Sequence, residues 1–209
     1  MRLRALSSCV VAVAMVSLSG CASSGSAKGQ GKAILDTENR LVTSIPKGAT
    51  LVVRPFSTTA TDFGTGGEGG TESRVEAANV MRETAPGVLA AAVKSAVEEG
   101  GAFARVVIDA TAKSPRDGIV LEGRFVRIDP GSRVKRAFVG FGAGASGVAV
   151  AGRVLGANGK VLAEFEHARH SAMGFYGGDY VKFLTGDARD VGTDIGEFLT
   201  AFVGATTPR

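Results

Sequence analysis

Residues 1–21 decide how much of this chain is free to fold. Arg2 and Arg4 give a positively charged start, and Leu6 to Leu18 form a nearly uncharged apolar stretch of about a dozen residues, the length of a signal h-region. A membrane-spanning helix needs roughly 20 apolar residues, so this stretch is too short to stay as a span. It closes on Leu18-Ser19-Gly20-Cys21, the lipobox pattern of an apolar residue, two small residues and a cysteine. Small residues let the backbone enter a peptidase, and the Cys21 thiol takes a diacylglyceryl group before cleavage makes it the new N-terminus. The expectation is a lipoprotein signal peptide over 1–20, cut between Gly20 and Cys21. Ala22 stands where an aspartate would retain a lipoprotein at the inner membrane. The expected address is therefore the outer membrane, lipid-anchored and facing the periplasm.

That reading changes what the composition means. The chain has 24 basic and 20 acidic side chains, a formal charge of +4 and two cysteines. Without the signal, 22 basic side chains face the same 20 acids, and Cys9 is gone. A lipid-capped Cys21 leaves no thiol for a disulfide, a redox step or a nucleophile. A nearly neutral protein outside the cytoplasm has no electrostatic case for binding nucleic acid. Several acyl chains, at about 0.8 kcal/mol per buried methylene, hold such a protein to the membrane stably. After Cys21, residues 22–33 read as a Gly/Ser/Lys tether, and a single domain is expected over 34–205.

Ala49 to Phe56 is a valine-rich apolar run and reads as a buried strand. A glycine-rich connection follows over Thr58 to Thr71. Ser73 and Glu76 have capping-box spacing, opening a helix whose apolar residues recur at Val75, Ala78 and Met81. Thr84-Ala85-Pro86 restarts or kinks it. Val88, Leu89, Ala92, Val93, Ala96 and Val97 then form one apolar face, and Gly100-Gly101 ends the helix. Phe103 to Ile108 and Ile119 to Ile128 read as strands, the first pairing parallel with the run at Ala49 to Phe56 through the helical crossover. Val148 to Leu155 and Val161 to His167 flank Asn158-Gly159 as a tight hairpin. A last helix is expected from Ala188 to Val203, capped by Asp187, with Gly192 and Gly196 allowing close approach to the sheet. The sum is an α/β (α+β) sandwich: one mixed sheet of about 4–5 strands on two main helices.

Several residue patterns invite chemistry. Gly142 to Gly147 fits the dinucleotide fingerprint by letter, but the VAVAGRVL that follows reads as a strand where a phosphate needs a helix N-terminus. Ser146 lacks the second glycine of a nucleophile elbow, since Val148 follows Gly147. His167 and His170 are the only histidines, with Glu164, Glu166 or Asp179 as conceivable further metal ligands. Three residues apart on a strand, the two rings point to opposite faces, which favours solvated strand-end residues over a metal site. Arg124, Arg127, Arg133, Lys135 and Arg136 form a basic cluster that could meet headgroups or an acidic partner, interrupted by Glu122 and Asp129. An export-pore subunit would need spanning strands of about 9–11 residues, longer than the apolar runs seen here.

The chain resembles a family of bacterial lipoproteins sharing a domain of unknown function, DUF4410. The residues carrying the resemblance begin with Val120-Leu121-Glu122-Gly123-Arg124-Phe125 and Ile128-Asp129-Pro130-Gly131-Ser132. Arg136 with Gly140-Phe141-Gly142-Ala143-Gly144-Ala145-Ser146 follows, then Glu164-Phe165, Ser171-Ala172-Met173-Gly174 and the helix from Asp190 to Leu199. It spans most of the chain from about Ile34 and implies a periplasm-facing lipoprotein domain, with no activity or catalytic residues to transfer. The order of elements is also similar to small α/β domains of envelope lipoproteins that bind or activate other envelope proteins. The functional expectation is a non-enzymatic envelope accessory or protein-interaction module without cofactor, joined to the membrane by its lipid and to other envelope proteins by its domain. The alternative is a periplasmic small-ligand or metal-binding lipoprotein using His167, His170 or the glycine loop.

Overall fold

Apolar alternation along three long strands and apolar stripes on two helices sort the chain into two layers, a sheet and a helical pair. The computed structural model describes residues 34–64, 72–111, 118–131, 146–171 and 179–204. These residues belong to one unit beginning at Lys32. The signal, Cys21, the tether and the segments 65–71, 112–117, 132–145 and 172–178 lie outside the described residues.

The strands are β1 (Thr37–Arg40), β2 (Thr50–Val53), β3 (Arg105–Ile108), β4 (Gly118–Asp129), β5 (Ser146–Leu155) and β6 (Val161–Ser171). They form one six-stranded sheet in the order β1-β6-β5-β4-β2-β3. Among them, β2 pairs parallel with β3 and with β4, and the other neighbours are antiparallel. The mixed sheet is as expected, but it has six strands rather than 4–5. The missed strand is β1, Thr-Glu-Asn-Arg, a polar edge strand that buries no side chain and so carries no apolar signal. The three central strands also run longer than their apolar cores, to 12, 10 and 11 residues. The length argument against spanning strands therefore does not hold, although the inner face of these strands packs beneath the helices.

A β-bulge keeps β4 in phase. Phe125 faces the core, Val126 is extra, and the register shift lets Arg127 point outward and Ile128 return to the core. The hairpin between β5 and β6 is wider than a two-residue turn. Ala157–Gly159 form a single 3₁₀ turn, closed by the Gly156 N–H on the Lys160 carbonyl at 2.8 Å, and Gly159 supplies φ +74°.

Helix α1 (Glu72–Gly100) runs unbroken through Pro86. Proline removes the N–H that would reach the Arg82 carbonyl, and the Thr58 hydroxyl donates to that carbonyl instead, at 3.4 Å. Because the helix already contains Ser73, that residue is not its N-cap. Arg74 is buried and Val75 exposed, the reverse of the expected pattern. Gly101, at φ +62°, ends the helix as expected.

Helix α2 (Tyr180–Phe202) starts two turns before the expected Ala188. Its cap is Asp179, which accepts from the N–H groups of Val181 and Lys182 at 2.9 and 3.2 Å, and not Asp187. Gly192 and Gly196 do allow close approach, but to α1 and not to the sheet. A Cβ at Gly192 would lie 2.6 Å from the Leu89 carbonyl oxygen, and one at Gly196 would lie 2.6 Å from the Ala96 Cβ. Thr185 meets Met81 at one end of the pair and Gly100 meets Thr200 at the other, so the two helices run parallel. Leu89 and Val93 of α1 and Ile195 and Phe198 of α2 share one core with Leu51, Val53, Leu121, Phe125, Val148 and Val150 of the sheet. No helix among the described residues is long and apolar enough to cross a membrane.

Candidate functional site: polar knots between α2 and the sheet

Alternation on β6 sends Ala163, Phe165, His167 and Arg169 toward the helices, and helix periodicity puts Asp187 and Asp194 on the face of α2 that meets them. His167 is buried, at 5% exposure, which corrects its expected place as a solvated strand-end residue. The strand continues four residues past it, so it stands inside the sheet. Its Nε2 is 2.7 Å from Asp194, and its Nδ1 accepts the Asp36 N–H at 3.3 Å. An amide N–H can only donate, so in that contact Nδ1 accepts, an arrangement that a ring protonated on Nε2 alone permits. Arg169 grips the same Asp194 in a fork, Nε at 2.6 Å and Nη2 at 2.8 Å. Burial alone would push the Asp194 carboxyl upward, but the bonds from Arg169 and His167 outweigh it and hold the group below its ordinary value.

Two turns earlier on α2, Asp187 is only 2% exposed. The Ser171 hydroxyl donates to its Oδ1, while Oδ2 has no hydrogen-bond partner among the described residues. Burial raises this carboxyl above its ordinary value, and the Ser171 bonds offset only part of that rise. Ser146, also buried, donates to the Ser171 carbonyl at 3.2 Å and is thereby a structural hydroxyl. One helix thus carries two buried carboxyls shifted in opposite directions.

A third knot closes the far end of β4. The Arg74 guanidinium donates to the Gly64 carbonyl at 2.6 Å and stands 3.9 Å from Asp129. Asp129 also accepts from the Gly131 N–H at 2.7 Å and pairs with Arg127. Phe63 adds a cation–π contact with Arg82 at 4.4 Å. The described start of the glycine-rich connection, as far as Gly64, is therefore held in place.

The sheet face away from the helices carries the described part of the basic cluster. Arg124 and Arg127 are exposed there; Arg133, Lys135 and Arg136 lie outside the described residues. Glu122 is clasped between Arg54 and Arg153, the latter at 2.6 Å. Burial would raise its carboxyl, but the two arginines hold it low. The structure does not bring the proposed metal ligands together. His167 is inside, His170 is exposed, Glu164 and Glu166 are on the open face, and Asp179 caps α2. No group of three His, Cys, Asp or Glu side chains able to hold a metal occurs among the described residues.

Sequence reasoning passed over Asp36, Arg74, Arg169 and Asp194, and read Asp187 as a helix cap. Two acids at i and i+7 among Ala188, Val191 and Ile195 place charge on an apolar stripe, and that was the available signal for the α2 knot.

Residues 52–174 match the family described as a domain of unknown function (DUF4410), and the chain belongs to that family. None of the curated proteins matches it. Among solved structures, the chain is similar to a PelC dodecamer from Paraburkholderia phytofirmans. The identity is 16%, over 77% of this chain and 96% of that one, with a TM-score of 0.46. An uncharacterized protein aligns at 12% identity, over 75% of this chain and 95% of that one, with a TM-score of 0.38.

Proposed function

We propose that this protein is a lipid-anchored outer-membrane lipoprotein that faces the periplasm and acts, without catalysis of its own, as an accessory or interaction module for other envelope proteins. The observation that carries the reading is the ordered series Arg2/Arg4, apolar stretch and Leu18-Ser19-Gly20-Cys21, followed by a tether before the folded unit. The domain supports it in kind: buried His167 and Asp194 are engaged with each other and with Arg169, and buried Arg74 with Gly64 and Asp129, as structural knots are. The Arg124 and Arg127 side of the open sheet face is the surface offered to partners.

Labelling of cells with radioactive palmitate tests the anchor. Wild type takes up label and fractionates with the outer membrane, whereas Cys21→Ser does neither. Equal labelling of both proteins rules the anchor out. Affinity capture from crosslinked envelopes tests the accessory role, which is refuted if only the bait returns.

A further inference from the structure

The first folded residues, which continue directly from the tether, are held on the sheet by a set of contacts that the anchor reading does not use. Leu35 is buried, at 2% exposure. Glu38 folds back to accept the N–H groups of Ile34 and Leu35, each at 3.1 Å. Asp36 is held twice: its N–H donates to His167 Nδ1 at 3.3 Å, and its carboxylate accepts the Ala168 N–H at 2.8 Å. β1 then adds only four residues of pairing to the edge of β6, at Ala163–Glu166. The strap is thus short, and one of its main-chain contacts ends on a ring nitrogen.

We propose that His167 is a proton-controlled clasp for the segment Ile34–Asp36. In the neutral ring, Nδ1 has a lone pair for the Asp36 N–H while Nε2–H is occupied by Asp194. A proton on Nδ1 removes that lone pair and sets two N–H groups against each other, so the Asp36 amide must leave. The new N–H turns to the Asp36 carboxylate, whose Oδ2 already lies 3.3 Å from Nδ1. That oxygen is then shared with the Ala168 amide. Protonation therefore trades a main-chain clasp for an ion pair: the Asp36 amide is freed while its carboxylate stays held by the ring and the Ala168 amide.

The charged groups facing the ring are Asp194 from α2, Asp36 from the strap and Arg169 from the same strand, with Asp190 acting on Arg169 and Glu38 holding the strap's own amides. The clasp does not rest on the lipid-anchor reading.

Nuclear magnetic resonance on the full chain tests it. The ¹⁵N shifts of His167 at neutral pH should report the tautomer protonated on Nε2; a proton on Nδ1 overturns the proposal. Between about pH 7.5 and about pH 5.5, exchange of the Asp36 amide, corrected for its intrinsic rate, should accelerate about tenfold, the worth of one net hydrogen bond. It should do so in step with the imidazole titration, while the Val150 and Phe165 amides hold. His167→Asn keeps an acceptor where Nδ1 stood but cannot take the proton, so its Asp36 exchange should not change with pH. An Asp36 amide that stays protected while the ring titrates, or a His167→Asn protein with the wild-type pH response, refutes the clasp. Mass spectrometry of the same preparation reads lipid on Cys21 separately, so loss of the anchor reading and loss of the clasp are distinguished.

Discussion

Helix α2 contains the same substitution twice with opposite expected outcomes, at Gly186 and at Gly192. Both are interior helical glycines, and replacing either by alanine relieves the entropic cost of glycine, about 0.5–1 kcal/mol. A Cβ at Gly186 meets nothing within 4 Å, so Gly186→Ala keeps that gain. At Gly192 the new methyl would sit 2.6 Å from the Leu89 carbonyl oxygen and 2.7 Å from the Ala92 Cβ. Backbone cannot swing aside as a long side chain can, so α1 and α2 must separate. Overpacking costs about 1–3 kcal/mol, and two contacts this short belong to its upper part, about 2–3 kcal/mol, so that a helix gain of about 1 kcal/mol leaves a net destabilisation of about 1–2 kcal/mol. For a chain of this size 1 kcal/mol moves the melting temperature by about 2–4 °C. Thermal unfolding followed by circular dichroism should therefore show Gly186→Ala raised by about 1–4 °C and Gly192→Ala lowered by about 2–8 °C. Shifts of the same sign would refute the close packing of α1 against Gly192.

The two buried acids of α2 should give opposite pH dependences in urea unfolding. The raised Asp187 contributes stability in full below the unfolded value of about 3.9 and loses it as pH rises through the folded value, so Asp187→Asn should gain on wild type as pH increases. The lowered Asp194 contributes above that value and loses its contribution as pH falls, so the deficit of Asp194→Asn should shrink toward low pH. Parallel pH trends for the two variants would contradict the assignment. Arg74→Ala should destabilise by about 1–3 kcal/mol, because it takes the donor from the Gly64 carbonyl and one of two arginines from beside Asp129, and a midpoint unchanged in urea would discount that knot. Pro86→Ala should stabilise by about 2 kcal/mol, the helix propensity gain less the greater freedom of the unfolded chain; an unchanged melting temperature would mean that the Thr58 bond already makes up the difference.

Elements whose side chains are buried were legible in the sequence, and those held by polar contacts were not. The runs around Val52, Val120, Val150 and Ala163 announce themselves because a strand facing a core must alternate or stay apolar. β1 has no such pattern: its place is set by ladder bonds to β6 and by Arg40, which lies over the rings of Phe198 and Phe202 at 5.1 Å. The start of α2 was hidden by Asp187, which looks like a cap because it is an acid before an apolar stripe. In the fold its burial is permitted by Ser171, a residue that sequence spacing does not tie to it. Pro86 misled for a related reason, since the hydroxyl covering the freed carbonyl comes from 24 residues upstream. The polar knots require knowledge of which strand faces which helix, and pairing of that range is not written in any local window.

The parallel course of α1 and α2 has an electrical consequence. Antiparallel neighbours cancel their macrodipoles, whereas these add, concentrating roughly one positive charge equivalent at the Glu72 and Tyr180 end and as much negative at the Gly100 and Phe202 end. Glu72 in the first turn of α1 and Asp179 at the cap of α2 sit on the positive pole. Neither last turn contains a basic residue. The domain therefore has a directional field that its near-neutral net charge conceals, and an anionic surface nearby would turn its Gly100 and Phe202 end outward.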